Sequence, residues 1–96
     1  MNADEIFEQE ITVKNVMGLH ARPAAQLVRI ASGFDAAMSV VKIEEDEEEA
    51  DCRSVLSLLM LAACKGTRLR LRVSGPQAKE ALNAAVEFFE SKFGEE

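Results

Sequence analysis

The spacing of apolar residues changes repeatedly along this chain, and each spacing predicts an element. Residues 1–7 show no period and read as a flexible leader before one domain over residues 8–93. From 10 to 14 the order E-I-T-V-K alternates polar and apolar, placing Ile11 and Val13 on one face of a strand. The period then becomes helical. Ala24, Leu27, Val28 and Ala31 recur at i, i+3, i+4 and i+7, with Gly33 as the stop. Residues 36–43 are rich in Val, Ile and Ser and predict a second strand, turning through 44–47 into a short third strand that ends near Asp51. Ser54 stands as an N-cap before V-L-S-L-L-M-L-A-A, a helix-favouring run over 55–63 that stops at Lys65-Gly66. T-R-L-R-L-R-V-S, residues 67–74, alternates most cleanly, with Leu69, Leu71 and Val73 on one face and Arg68, Arg70 and Arg72 on the other. After Gly75-Pro76, the residues Ala78, Leu82, Ala85, Phe89 and Phe93 form the stripe of a last helix ended by Gly94.

The element order is βαββαβα. Alternating strands imply one wet sheet face, so the fold class is α/β in the α+β sense: an open-faced sandwich with a four-stranded, mostly antiparallel sheet and three helices on one face. With 96 residues there is room for one core and for a site that is simple or completed by a partner. That core is largely aliphatic, because the only aromatic residues are five Phe.

No apolar run approaches the ~20 residues that span a bilayer, and the first residues lack the pattern of a secretory signal, so a cytoplasmic protein with no membrane insertion is expected. Cys52 and Cys64 fit neither a zinc site nor a redox pair; both read as buried free thiols, and neither a metal nor a cofactor is implied. A net charge of −6 argues against nucleic acid. Seven of the 17 acidic residues lie between Glu44 and Asp51, leaving 11 basic against 10 acidic elsewhere, which allows a basic face beside the one histidine. The acidic run itself reads as a solvated turn, with cation binding or steering of a basic partner as the alternatives.

That histidine, His20, stands where a Gly-containing loop meets a helix beginning Ala-Arg-Pro. Unpaired amides and the positive end of the helix dipole converge there, which suits an anion. Arg22 adds a guanidinium that can fork onto phosphate oxygens. Pro23 costs little in the first turn, where amides lack partners anyway. Position alone still leaves the plainer reading ahead, in which His20 merely starts a helix and Arg22 is a surface charge.

The stretch G-L-H-A-R-P-A-A, residues 18–25, resembles the active-site signature of the HPr family, the histidine-containing phosphocarriers of the bacterial phosphoenolpyruvate-dependent phosphotransferase system. R-S-V-L-S-L-L-M-L-A-A-C-K-G, residues 53–66, is similar to that family's second helix and following loop. The resemblance spans about residues 8–93, and the family's fold is also βαββαβα. It implies that His20 is phosphorylated on Nδ1 by an enzyme I type donor, steadied by Arg22 and cradled by Ala21, Arg22 and Pro23, and that an EIIA-type protein in sugar transport accepts the group. The chain would then be a monomeric phosphoryl-transfer intermediate rather than an independent enzyme. Ser54 matches the family's regulatory serine, which implies a possible partner in an HPr kinase, although E-A-D-C-R-S lacks the glycine and lysine often found there. Val55, Leu56 and Leu59 are apolar on more than one side of a short helix, and the resemblance implies a partner-docking patch. The acidic run at 44–49 departs from typical transport HPr, and G-F-D-A at 33–36, A-D ending at Asp51, and S-G-P-Q at 74–77 followed by a Phe-rich end look more like the nitrogen-related paralogue, NPr. A regulatory binding module acting mainly through docking is the reading from a different class.

Overall fold

The computed structural model describes residues 5–95, arranged as β1 (Ile6–Thr12), α1 (Ala21–Ser32), β2 (Ala37–Lys42), β3 (Glu48–Asp51), α2 (Val55–Met60), β4 (Arg68–Ser74) and α3 (Ala78–Glu90), followed by a 3-10 turn over Lys92–Gly94. The strands form one sheet in the order β1-β4-β2-β3, with every pairing antiparallel. The most regular strand of the sequence therefore takes the interior position between β1 and β2. Leu69, Leu71 and Val73 are at most 1% exposed and face the helices. Burying an aliphatic side chain of this size is worth about 1.5–3 kcal/mol, so β4 anchors the layer. The core beneath it takes in Ile11 and Val13, Ala24, Leu27 and Ala31 of α1, Leu58 of α2 and Phe89 of α3. Val28, expected with them, is only half-buried.

The other sheet face is ionic. Arg72 bonds Glu8 at 2.8 Å and Glu49 at 3.2 Å, Arg70 reaches Glu47 at 3.4 Å, and Arg68 reaches Glu10 at 3.4 Å. Residues 44–49 are exposed throughout, and Glu44, Glu47 and Glu49 pair with Lys42, Arg70 and Arg72. Part of the acidic run is thus spent on cations of its own sheet. Exposed pairs of this kind contribute about 0–1 kcal/mol each. The arginines of β4 consequently lie on the open face, paired, and do not form a basic surface beside His20.

Several boundaries differ from those expected. The leader assigned to residues 1–7 is too long, because Ile6 and Phe7 belong to β1 and pair with Ser74 and Val73; residues 1–4 lie outside the described residues. Phe7 also packs against the core, with Lys79 Nζ 5.6 Å from its ring centre. At the other end the chain turns after Glu90. Phe93 is buried from the 3-10 turn rather than from a continuing helix, and Ala81, not Leu82, completes the buried stripe of α3. The Lys92–Gly94 turn carries Glu95 beyond the domain limit of 93, back toward the first loop.

The second helix is shorter than its propensity suggests. It stops at Met60, and Ala62 adopts φ 50°, a left-handed conformation that costs about 1–2 kcal/mol for a residue with a Cβ. Tertiary bonds hold that turn: Lys42 Nζ donates to the Leu61 carbonyl at 2.8 Å, and the Leu19 amide donates to the Ala63 carbonyl at 2.9 Å. Leu61 and Ala63 are buried while Ala62 and Cys64 face outward. Cys64 is therefore exposed, contrary to expectation, whereas Cys52 is fully buried and its thiol is pushed up to about 12 by burial, with Asp51 adding to the effect.

Ser54 does cap α2, its Oγ accepting the Ser57 amide at 3.1 Å. With six residues, this helix has little else to hold its first turn. Ser54→Ala is expected to cost about 1 kcal/mol. Denaturant titration should show this as a lower midpoint with an unchanged slope.

Candidate functional site

His20 occupies the N-cap position of α1, in an extended conformation, and its side chain makes no capping bond. The ring is therefore not committed to holding the helix. The first intrahelical bond runs from the Ala24 amide to the His20 carbonyl at 3.0 Å, so the Ala21 and Arg22 amides precede the helical ladder and Pro23 has none to satisfy. No acidic residue lies in the first turn of α1 to oppose an anion. The helix start has the electrostatic character inferred from the sequence.

The loop that delivers His20 is pinned from both sides. Val13 exchanges backbone bonds with the 66–67 segment, its amide to the Thr67 carbonyl at 2.9 Å and the Gly66 amide to its carbonyl at 2.8 Å. Leu19, 5% exposed, adds its bond to Ala63. Between these anchors Gly18 has φ +69° and lies against the backbone of Ala63 and Cys64. Asn15 is fully buried within the loop and donates through Nδ2 to the Gly18 carbonyl at 2.8 Å. Its Oδ1 has no hydrogen-bond partner among the described residues.

At the mouth of this loop the side chains of His20 and Arg22 are 29% and 47% exposed, and they meet on one atom. Glu95 Oε2 lies 2.5 Å from His20 Nε2 and 2.5 Å from Arg22 Nη2, while Glu95 Oε1 accepts from Asn15 Nδ2 at 2.7 Å. Arg22 also donates to the Phe93 carbonyl at 3.3 Å and to Gln26 Oε1 at 3.0 Å. Partial burial works against the charge of Glu95. Its bonds to Arg22, Asn15 and His20 outweigh that and hold the carboxyl below the usual carboxylate range. The described residues give His20 Nδ1 no hydrogen-bond partner. Among the described residues the site is an imidazole and a guanidinium holding one carboxylate oxygen at a helix start, with the second ring nitrogen unbonded.

The structure places His20, Ala21, Arg22 and Pro23 side by side at the start of α1, as their spacing implies. That spacing assigned no part to Asn15 or Glu95. For Asn15 the signal was present, as an amide residue in an otherwise apolar loop; for Glu95 nothing in the local pattern could have placed it beside residues 15–22. Several large apolar side chains are exposed on α2 and on the loop before His20. Leu56 and Leu59 of α2 are 68% and 36% exposed, and Val55 is half-buried. Met60, Val16 and Met17 are 70%, 66% and 69% exposed. No group of three or more His, Cys, Asp or Glu among the described residues could hold a metal ion, and no described helix is long and apolar enough to cross a membrane.

The family profile described as "PTS HPr component phosphorylation site" matches residues 7–91. The chain is 39% identical over 89 residues to phosphocarrier protein NPr of Escherichia coli strain K12, covering 93% of this chain and 97% of that protein. It is 43% identical over 86 residues to phosphocarrier protein HPr of Pseudomonas aeruginosa, covering 90% and 93%. Among solved structures, HPr-C-His from Thermoanaerobacter tengcongensis superposes with a TM-score of 0.84 at 39% identity, covering 94% of this chain and 98% of that one.

Proposed function

The chain belongs to the HPr family of PTS phosphocarriers, and from that premise we propose that Nδ1 of His20 takes a phosphoryl group from a phosphorylated enzyme I type donor, charged by phosphoenolpyruvate, and passes it to an EIIA-type acceptor. One observation carries this reading: His20 and Arg22 already grip a single carboxylate oxygen at the start of α1, while the described residues leave Nδ1 without a partner. A phosphoryl group on Nδ1 would lie at a helix start whose Ala21 and Arg22 amides precede the helical ladder, with the guanidinium of Arg22 bound to the same carboxylate oxygen as the ring. Exposed helix-dipole and charge interactions of this kind contribute about 0.3–1 kcal/mol each. Modest stabilisation suits a carrier, which must hold the group without trapping it.

The apolar surface of Val55, Leu56 and Leu59, enlarged by Val16, Met17 and Met60, is the proposed docking surface for donor and acceptor. Large apolar side chains left exposed on the loop that carries His20 and on the second helix favour contact with another protein over a role in stability. Phosphorylation of Ser54 by an HPr kinase would leave phosphate oxygens able to accept from the amides at the start of α2, now capped by its Oγ, and would place a charge beside Val55 and Leu56. In a second reading the acceptor belongs to the nitrogen-related branch; the G-F-D-A and S-G-P-Q segments and the likeness to E. coli NPr favour it.

Incubation with phosphoenolpyruvate and an enzyme I should leave the protein with an acid-labile, base-stable phosphate. Arg22→Ala should still become labelled but transfer the group roughly tenfold more slowly, as expected for loss of one charge-assisted contact. An acid-stable product, as from serine, would overturn the assignment.

A further inference from the structure

Glu95 lies past the domain limit drawn from the sequence, yet its carboxylate is in direct contact with the His20 ring. Three donors converge on it: His20 Nε2, Arg22 Nη2 and the buried amide of Asn15. The last of these matters for rigidity, because Asn15 is fully enclosed and also tied to the Gly18 carbonyl, so the carboxylate is held by the loop that carries His20. Its side chain is only 13% exposed.

An ionised carboxylate can only accept hydrogen bonds. The hydrogen in the 2.5 Å contact with His20 therefore belongs to Nε2. A neutral imidazole protonated at Nε2 carries its free electron pair at Nδ1, and the bond made by one ring nitrogen decides the state of the other. We propose that Glu95 is a positioning residue for phosphoryl transfer: by accepting the Nε2 hydrogen of His20 it fixes the tautomer and ring orientation that leave Nδ1 open as the nucleophile.

This rests on the reading of His20 as the phosphoryl acceptor. In the forward step the Nδ1 electron pair forms the bond to phosphorus while the bond from phosphorus to the donor's leaving atom breaks, its electron pair remaining with the donor. Nε2 keeps its hydrogen throughout. The ring becomes a phosphorylated imidazolium, and the positive charge it gains faces Glu95, so the bond to Glu95 is strongest in the state that forms. The onward step reverses these changes, and no proton has to leave the site.

Two variants separate hydrogen-bond acceptance from charge. Glu95→Gln retains an oxygen able to accept from Nε2, whereas Glu95→Ala retains neither function. Ring 15N NMR at about pH 8.5, where an imidazole is neutral, reads the tautomer without any phosphoryl donor. Single-turnover labelling reads the rate, and circular dichroism confirms that both variants are folded. Glu95→Ala is expected to mix the two tautomers and slow transfer by roughly tenfold, the loss of one hydrogen bond to a charged group. Glu95→Gln should restore the original ring spectrum and part of the rate. An unchanged ring spectrum in Glu95→Ala overturns the proposal whatever the rate, and so does an unchanged rate. Failure of the acceptor assignment would register elsewhere, as label persisting in His20→Ala.

Discussion

His20→Ala is expected to take up no phosphoryl label under conditions that label the original chain completely, while remaining folded. The loss should be total, since His20 is the only histidine and the Nδ1 electron pair has no substitute at the start of α1. The fold should survive because His20 contributes little to it. Its side chain makes no cap, its part-buried contact with Glu95 is one of three that hold that carboxylate, and the backbone bonds that pin the loop belong to Val13, Leu19 and Gly66. Replacement of an exposed or part-exposed side chain away from the core usually changes stability by about 0.5 kcal/mol or less. The measurement is a gel-shift or mass assay for phosphorylation beside a thermal melt. The same variant also separates the relay from a module that works by docking alone. If the apolar surface around Leu56 and Met17 binds the donor independently of phosphate, His20→Ala should still bind unphosphorylated enzyme I. Retention of label by this variant would place the chemistry elsewhere on the molecule.

Gly18→Ala is expected to be the most destabilising single-methyl change in the loop, lowering stability by roughly 2–4 kcal/mol. Two costs combine. Gly18 has φ +69°, a left-handed conformation that costs a side-chain-bearing residue about 1–2 kcal/mol. A Cβ there would also lie 2.5 Å from the Ala63 carbonyl oxygen and 2.8 Å from Cys64 Cα. Both obstacles are backbone, which cannot swing aside as a side chain can, and overpacking of this type costs about 1–3 kcal/mol. That Ala63 carbonyl accepts the Leu19 amide, so relief of the clash would loosen the bond next to His20. For a domain of this size the melting temperature should fall by roughly 8–30 °C, and phosphoryl transfer should slow even where the protein is folded. A melting temperature within a degree or two of the original would show that the loop and the 62–64 turn separate more easily than their packing indicates.

The element order, the exposed face of β4, the N-cap at Ser54 and the helix start at His20 were legible because each is written in local spacing. Leu69, Leu71 and Val73 alternate with arginines, and Ala24, Leu27 and Ala31 recur at helical intervals. Where local preference met a long-range demand, it gave way. Residues 61–63 favour helix, yet the chain bends at Ala62 because Leu61 and Ala63 are held by Lys42 and Leu19. Ile6 and Phe7 show no alternation of their own and become strand through pairing with Val73 and Ser74. Cys64 follows the same bend outward.

The functional site divides along the same line. Spacing alone set His20, Arg22 and Pro23 within one turn of a helix, and likeness to a known signature gave that arrangement its chemistry. Asn15 entered only once the loop had folded around it, and Glu95 only once the turn after α3 returned the chain to the start of α1. The sequence by itself determined which elements form and which ring stands at the start of α1, because both depend on neighbours a few residues apart. Which nitrogen of that ring is tied and which is left open was decided by the tertiary structure, since a hydrogen bond between residues 20 and 95 exists only when the fold has brought them together.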